Sequence, residues 1–516
     1  MLDPNAIAEQ AHALGIENCF GIPGSGNSLK IIDALEKKGI PFHLSHFEGS
    51  AALMAATTGR MADRPGLSIS IKGPGVANAI PGIATAWFED FPLVHLSEAT
   101  PLSAPSWVAH KRMPQSQVMA PVTKGAGRIL SEAAHLGVAG RLSVDEFPGP
   151  VCLEIGEDVC PTLQESIFSV AMDPAAVDQV EKIIKASQRP VVLAGAWARR
   201  NHWRKELQKL NIPVFTTVAS KGLVDETMAH SAGIYTGVDD ELTTEKIVFS
   251  QADLVIAIGV TAKEFLKVNG FHCPSVYIGD FIRAGHEGFQ FEYHLDGSSG
   301  KSVCELLQEK SWGLETLNQV KEGLNEVLLQ GFLPGIVFDV LYRRFNGDAH
   351  LVMDTGWFCT IGEYAWRSKG TEHCLLAAQG RYMGSGLPMA IGVSMSDKSI
   401  PTLCTLGDGG IGMYISDVKL AVRQKLPLLI VLMSDGGFGC IRAGARSQGV
   451  SLAPLDTSTG SWVSVLDSLG VPGTRVEKEQ DLIRFMDAWN PDSGPAFMEV
   501  GFNPDDYEAM TRGIRG

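Results

Sequence analysis

Short runs of apolar residues alternate with longer stretches in which apolar positions recur at helical spacing, and this rhythm repeats three times along the chain. Residues 5–14 carry helical character, and ENCFGIPG then predicts a strand running into a turn. PFHLSHF, LSISIKGPG and PLVHLSEA continue the pattern, and PVCLEIGED closes the first unit. PTLQESIFSVAMDPAA has no sustained strand pattern and reads as a linker. A second unit opens with a helix in AAVDQVEKIIKASQ and has strands in RPVVLAGA, NIPVFTT, QADLVIAIG and PSVYIGD. EYHLDGSSGKSVCELL finishes it as turn residues and a helix. In the third unit HLVMD, HCLLA, IPTLCTLGD, LPLLIVLMS and AFMEV predict strands. Short buried strands separated by helices favour parallel sheets covered on both faces. The expected class is α/β, with three domains at residues 1–165, 175–330 and 334–505, each a mainly parallel sheet flanked by helices.

A chain of 516 residues agrees with that count at roughly 150 residues per domain. Its 56 glycines exceed the usual ~7% and point to many tight turns and close backbone approaches. The net charge of −15 disfavours a nucleic-acid backbone binder, which needs a concentrated basic surface, yet a local pocket can still hold an anion. Nine cysteines are scattered without a CxxC pair, so neither a disulfide framework nor a structural zinc site is expected. The first residues lack a basic segment followed by an apolar run, and no stretch reaches ~18 apolar residues. A cytoplasmic protein without a membrane span is the expectation.

The most informative stretch is PTLCTLGDGGIGMYISDVKLAVRQKLPLLIVLMSDGGFG. One predicted strand ends in Gly407, Asp408 and Gly409; the next ends in Ser434, Asp435, Gly436 and Gly437. Two carboxylates are thereby delivered from the same ends of two parallel strands, where open α/β sheets bind ligands. Carboxylate and carbonyl oxygens suit Mg²⁺, and a diphosphate would complete an octahedral shell. A helix after Gly409 would point N–H groups at phosphate oxygens. Asp and Gly are also common in ordinary strand-to-helix turns. This stretch resembles the metal motif of the thiamine-diphosphate-dependent superfamily of acetolactate synthase, pyruvate decarboxylase and benzoylformate decarboxylase. The resemblance covers nearly the whole chain, in the order pyrimidine-binding, central and diphosphate-binding domains. It implies Mg²⁺ on Asp408, Asp435 and the Gly437 carbonyl, with Ser434-Asp435 standing where the family has an Asn pair. The substitution makes the cradle one charge more negative.

SHFEGSAALMAATTGRMADRPG matches a second family element. Alone, Glu48 is an acid at a helix start, an unremarkable place for one. The resemblance implies that it hydrogen-bonds the cofactor's aminopyrimidine and promotes the tautomer that removes the thiazolium C2 proton. FGIPGSGNS and KGPGVANAI resemble the loops of the pyrimidine domain, which places Pro23 and Gly24 at the cofactor and Ser25 and Asn27 toward substrate. QGRYMGSGLPMAIG resembles the segment that supports the bent cofactor, giving that part to Met383 and Gly384; Met383 is otherwise a core residue. MDTGWF resembles a diphosphate-side loop, with Gly356 as a backbone contact and Trp357 and Phe358 facing substrate. In the family the first and third domains of different subunits complete each site, so a homodimer or homotetramer is implied.

The shared chemistry of such enzymes is stabilisation of a carbanion released by C–C cleavage. The reading adopted is a non-oxidative decarboxylase or carboligase acting on a small-molecule 2-oxo acid or related carbonyl compound. Acetolactate-synthase-like acyl transfer, a hydroxyketone or hydroxyacyl lyase, and a cofactor-binding protein with little catalysis stand as alternatives. HKRMPQSQ replaces the FQE segment of acetolactate synthases, and neither the His pair of pyruvate decarboxylases nor the loop His of benzoylformate decarboxylases is present. His110 is a candidate proton relay or an ordinary surface histidine. His46 is a candidate pocket residue, and Arg442 a candidate for a substrate carboxylate or a solvated arginine. VVLAGAWARR and LVIAIGVTAKEF leave FAD or nucleotide binding by the central domain undecided.

Overall fold

The computed structural model describes residues 3–514 apart from 102–103, 106, 108–109, 130–133, 157–166, 170–173, 284–289 and 458–459. The first sheet contains β1 (Cys19–Ile22), β2 (Phe42–Leu44), β3 (Gly66–Ser70), β4 (Leu93–Glu98), β5 (Gly125–Ile129) and β6 (Pro150–Ile155), all parallel, in the order β2-β1-β3-β4-β6-β5. After β7 (Ile167–Ser169) come β8 (Pro190–Ala194), β9 (Val214–Thr216), β10 (Ser231–Ile234), β11 (Leu254–Ile258), β12 (Ser275–Ile278), β13 (Phe281–Arg283) and β14 (Tyr293–Leu295). Six of these form a parallel sheet ordered β10-β9-β8-β11-β12-β14, while β7 and β13 pair antiparallel. The third sheet holds β15 (His350–Met353), β16 (Cys374–Leu376), β17 (Thr402–Gly407), β18 (Leu428–Ser434), β19 (Gly473–Val476) and β20 (Ala496–Gly501), parallel in the order β16-β15-β17-β18-β20-β19. The class is α/β, with three parallel sheets flanked by helices.

Two differences from the sequence reading have simple causes. Part of the expected linker, Ile167–Ser169, is the strand β7; the residues on either side of it, 157–166 and 170–173, lie outside the described residues. Tyr293–Leu295, read as turn residues, is the edge strand β14. A three-residue strand is too short to show an alternation of its own.

The first and third sheets are joined through helices. Glu48–Ala62 is buried along nearly its whole circumference, as a helix of small and apolar residues must be when it has neighbours on every side. It packs on the Pro74–Glu89 helix of its own domain and on the largely apolar Gly386–Ser396 helix of the third. Ala51, Ala52, Ala55 and Ala56 keep these helix axes close, and one hydrophobic cluster runs from Phe20 through them to Ile391, Cys404 and Ile430. At the rim of this junction the His46 N–H donates to Asp417 Oδ1 at 2.9 Å and Arg423 Nη2 donates to the Leu44 carbonyl at 2.6 Å. No helix among the described residues is long and apolar enough to cross a membrane.

Candidate active site

The carboxyl ends of four neighbouring strands of the third sheet open into one cavity of about 440 Å³. β15 leads to Thr355, Gly356, Trp357 and Phe358; β16 leads to Arg381 and Met383; β17 to Asp408 and Gly409; β18 to Asp435 and Gly437. Leu266, Phe438, Ile441 and Tyr507 complete the apolar walls. This is where a parallel sheet gathers loops without interrupting its own ladder. The helix expected after Gly409 is only the four-residue turn Asp408–Ile411; the longer segment resumes at Val418–Arg423.

Asp408 ties the two acidic loops together. Its Oδ1 accepts from Ser434 Oγ at 2.9 Å, and its Oδ2 accepts from the N–H groups of Asp435 and Gly436 at 2.9 and 3.0 Å. Asp435 is pushed up to about 6, first by burial and then by the Asp408 charge; burial also raises Asp408. Two partly buried carboxylates in this relation favour a cation between or beside them. Among the described residues no group of three or more His, Cys, Asp or Glu side chains is placed to hold a metal. Backbone carbonyls, water and a bound diphosphate are the kinds of oxygen ligand that would complete such a shell. The donor set fits Mg²⁺, a hard ion that takes oxygen ligands and usually keeps phosphate or water in its shell.

The glycines mark where a ligand can approach. A Cβ on Gly409 would stand 2.7 Å from Met383 Sδ, so the methionine sulfur lies directly against the turn that carries Asp408. Gly384 has φ +85°, and its N–H donates to both Asp354 oxygens at 2.9 Å. Asp354 is 1% exposed, and burial pushes it up to about 7 despite N–H donors from Thr355, Gly384 and Gly386. It pins the turn that presents Met383. The Phe358 ring lies under Gly407, and Trp357 meets Tyr507 edge to face at 5.8 Å.

Arg442 is committed to the acidic loop. Its Nη1 and Nη2 donate to the carbonyls of Asp435 and Gly436 at 2.8 and 2.9 Å, and Nη1 lies 4.0 Å from Asp435 Oδ1. That geometry braces the loop. Arg381 and Asp354 are site residues to which the sequence reading gave no role. Arg381, at φ +46°, lines the cavity with Nη1 on Glu363 Oε1 at 2.5 Å.

The remaining expected residues stand at the carboxyl edge of the first sheet. Glu48 is 6% exposed, begins its helix, and accepts from Asn78 Nδ2 at 3.1 Å. Pro23 and Gly24 follow β1, with the Gly24 N–H donating to Ser28 Oγ at 2.9 Å, while Ser25 and Asn27 lie exposed on the same loop. His46 is exposed at the junction with Asp417, and His110 is exposed beside Lys111. Among the described residues, none from the first domain lines the third-domain cavity of the same chain.

Residues 4–120 match the family described as Thiamine pyrophosphate enzyme, N-terminal TPP binding domain; 177–278 match its central domain and 354–500 its C-terminal TPP binding domain. The large subunit of acetolactate synthase isozyme 3 of Escherichia coli is 25% identical, over 91% of this chain and 88% of that protein. The catabolic acetolactate synthase of Raoultella terrigena is 25% identical, over 97% and 94%. A probable 2-ketoarginine decarboxylase of Pseudomonas aeruginosa is 26% identical, over 83% and 81%. With two cofactor-binding domains flanking a central one in matching order, the chain belongs to the thiamine-diphosphate-dependent enzyme superfamily.

Proposed function

We propose that the protein is a thiamine-diphosphate- and Mg²⁺-dependent enzyme that decarboxylates a 2-oxo acid without oxidation, or ligates the resulting acyl unit to a second carbonyl compound. One observation carries this reading: Asp408, Gly409, Asp435 and Gly437 share a single cavity with the Met383 side chain. Asp408, Asp435 and the Gly437 carbonyl would hold the metal and diphosphate there. When bound, the cofactor supplies an electron sink for the carbanion left by C–C cleavage. The protein's own residues do the rest. Glu48, oriented by Asn78, holds or moves a proton at its carboxylate from a site shielded from water. Met383 is a wedge held by the Asp354-anchored turn, and Trp357, Phe358 and Phe438 exclude water from the cavity.

Since no described first-domain residue, Glu48 included, lines the cavity of its own chain, Glu48 is assigned to the cavity of a partner subunit, in a homodimer or larger assembly. Mixing inactive Glu48→Gln and Asp408→Asn chains should then restore about a quarter of wild-type turnover through heterodimers with one intact site. If each site used residues of one chain only, the mixture would stay inactive. The acetolactate synthases among the relatives favour ligation, and the probable 2-ketoarginine decarboxylase favours simple decarboxylation. A panel of aliphatic, aromatic and acidic 2-oxo acids with thiamine diphosphate and Mg²⁺ separates the two. CO₂ plus aldehyde indicates decarboxylation, and CO₂ plus an acyloin indicates ligation. Failure to bind the cofactor would overturn the reading.

A further inference from the structure

The three domains meet around a small cavity of about 30 Å³ that the proposed chemistry leaves unused. Arg60 lines it from the last turn of the Glu48–Ala62 helix, Arg199 and Arg200 from the helix Ala196–Arg200 after β8, and Leu375 and Leu376 from β16. A cation in the last turn of a helix is ordinary, but such side chains normally end in water. Arg60 is 8% exposed, and its guanidinium makes no hydrogen bond or ion pair among the described residues. Five N–H donors without a protein acceptor in so enclosed a place call for an acceptor from outside the chain.

The carboxylates around this cavity are matched to other cations. Asp63 takes Arg199 Nη1 at 2.9 Å, Glu146 takes Nε and Nη2 of Arg200, and Asp90 takes Lys263 Nζ at 2.5 Å. Glu89, which also lines the cavity, instead accepts from the N–H groups of Gln379 and Gly380. Burial pushes it up to about 7, so near neutrality it carries only part of a charge. The acids that act on Arg60 through space are Asp63, already paired, and Glu372, whose side chain is half exposed beside His373. They do not outweigh its surroundings: Arg60 is held well below its ordinary value, first by burial and then by the Arg199 charge. Arg199 donates through Nη1 and Arg200 through Nε and Nη2, so each keeps further N–H groups without an acceptor. A water molecule would accept from one or two such groups and leave the guanidinium charges opposed; an anion accepts and also neutralises. The volume suits a monatomic ion or about two water molecules, and excludes a nucleotide.

We infer that Arg60, together with Arg199 and Arg200, holds one chloride-sized inorganic anion in this cavity, and that the ion ties the helix carrying Glu48 to the central domain. The test uses the full chain with thiamine diphosphate and Mg²⁺ present, in chloride-free buffer whose ionic strength is held constant with sodium gluconate. Replacing gluconate by chloride should raise Tm by about 2 °C or more along a saturating curve. Crystals grown in sodium bromide should show an anomalous bromine peak in the cavity, against the Arg60 guanidinium. Arg60→Gln should lose both the rise and the peak. A Tm that chloride leaves flat overturns the inference, as does a cavity without bromine, or a variant that keeps both signals. A saturating rise with phosphate and none with chloride overturns it too, in favour of an oxyanion. If Arg60→Gln fails to fold, the wild-type protein decides alone, and both of its signals must be present. None of these readouts involves turnover, so the inference stands or falls separately from the proposed reaction.

Discussion

Glu48 and Arg442 show how much one residue's meaning depends on what its neighbours leave open. Glu48 keeps one carboxylate oxygen on Asn78, which orients it without neutralising it. Glu48→Gln is expected to lower kcat by about 10²-fold or more, with the dissociation constant for thiamine diphosphate nearly unchanged. Equal loss of both quantities would show that the residue holds the fold or the cofactor. Arg442 holds two carbonyls of the acidic loop, so its substitution should act on metal loading. Arg442→Ala should raise the Mg²⁺ concentration needed for half-maximal cofactor binding by about tenfold, the order of a lost charged hydrogen bond. The acids at the strand ends were legible in the sequence because Gly-Asp-Gly turns name their own position. The partners of Arg442 were not, since backbone carbonyls leave no mark on the sequence. Asp354 stood in a recognisable loop, but that it bonds a glycine thirty residues on depends on the packing of two separate loops.

At the scale of elements, the small residues of the Glu48–Ala62 helix set the distances between domains. A Cβ on Gly82 would collide with the Gly49 carbonyl oxygen, pushing the Pro74–Glu89 helix away from the helix that starts at Glu48. Gly82→Ala should therefore cost about 1–3 kcal/mol in thermal or denaturant unfolding. Glu89, at the end of the same helix, accepts from the N–H groups of Gln379 and Gly380 in the third domain. Burial pushes it up to about 7 from an ordinary 4.5. Between those values the folded chain keeps a proton that the unfolded chain releases, so this group makes stability fall as pH rises from 4.5 to 7. Glu89→Gln should gain stability relative to wild type over that interval, read as a widening difference in Tm; a pH-independent difference would contradict the assignment. The strand pattern was legible wherever a strand is buried on both faces. Gly125–Ile129, Ile167–Ser169, Ser231–Ile234, Phe281–Arg283, Tyr293–Leu295 and Gly473–Val476 escaped it, and all six are sheet edges. An edge strand is short and paired on one side, so its sequence is free of the continuous apolar run that betrays a central one.

For the whole molecule, the central domain raises the question the sequence left undecided. Five N–H groups at the carboxyl edge of its sheet are already taken by internal acids. Glu264 accepts from the N–H groups of Ala196 and Thr261, both at 2.8 Å, and Glu245 accepts from those of Thr236 and Gly237 at 2.5 and 3.0 Å. Asp280 accepts from the Gly297 N–H at 2.7 Å. A nucleotide phosphate would have to displace these buried carboxylates from the donors it needs. FAD and ADP are therefore expected to leave Tm unchanged, and a rise with either would show a second route of binding. The helix pair joining the outer domains has a different consequence. Gly386–Ser396 begins two residues after Gly384, beside the cofactor cavity, and lies along the helix that begins with Glu48. If Glu48 serves the neighbouring subunit, the two catalytic centres are linked in series by this stiff lever. Loading one centre then strains or relaxes its twin, and cofactor titration of the dimer should resolve two unequal steps; a single hyperbola would mean the lever is slack.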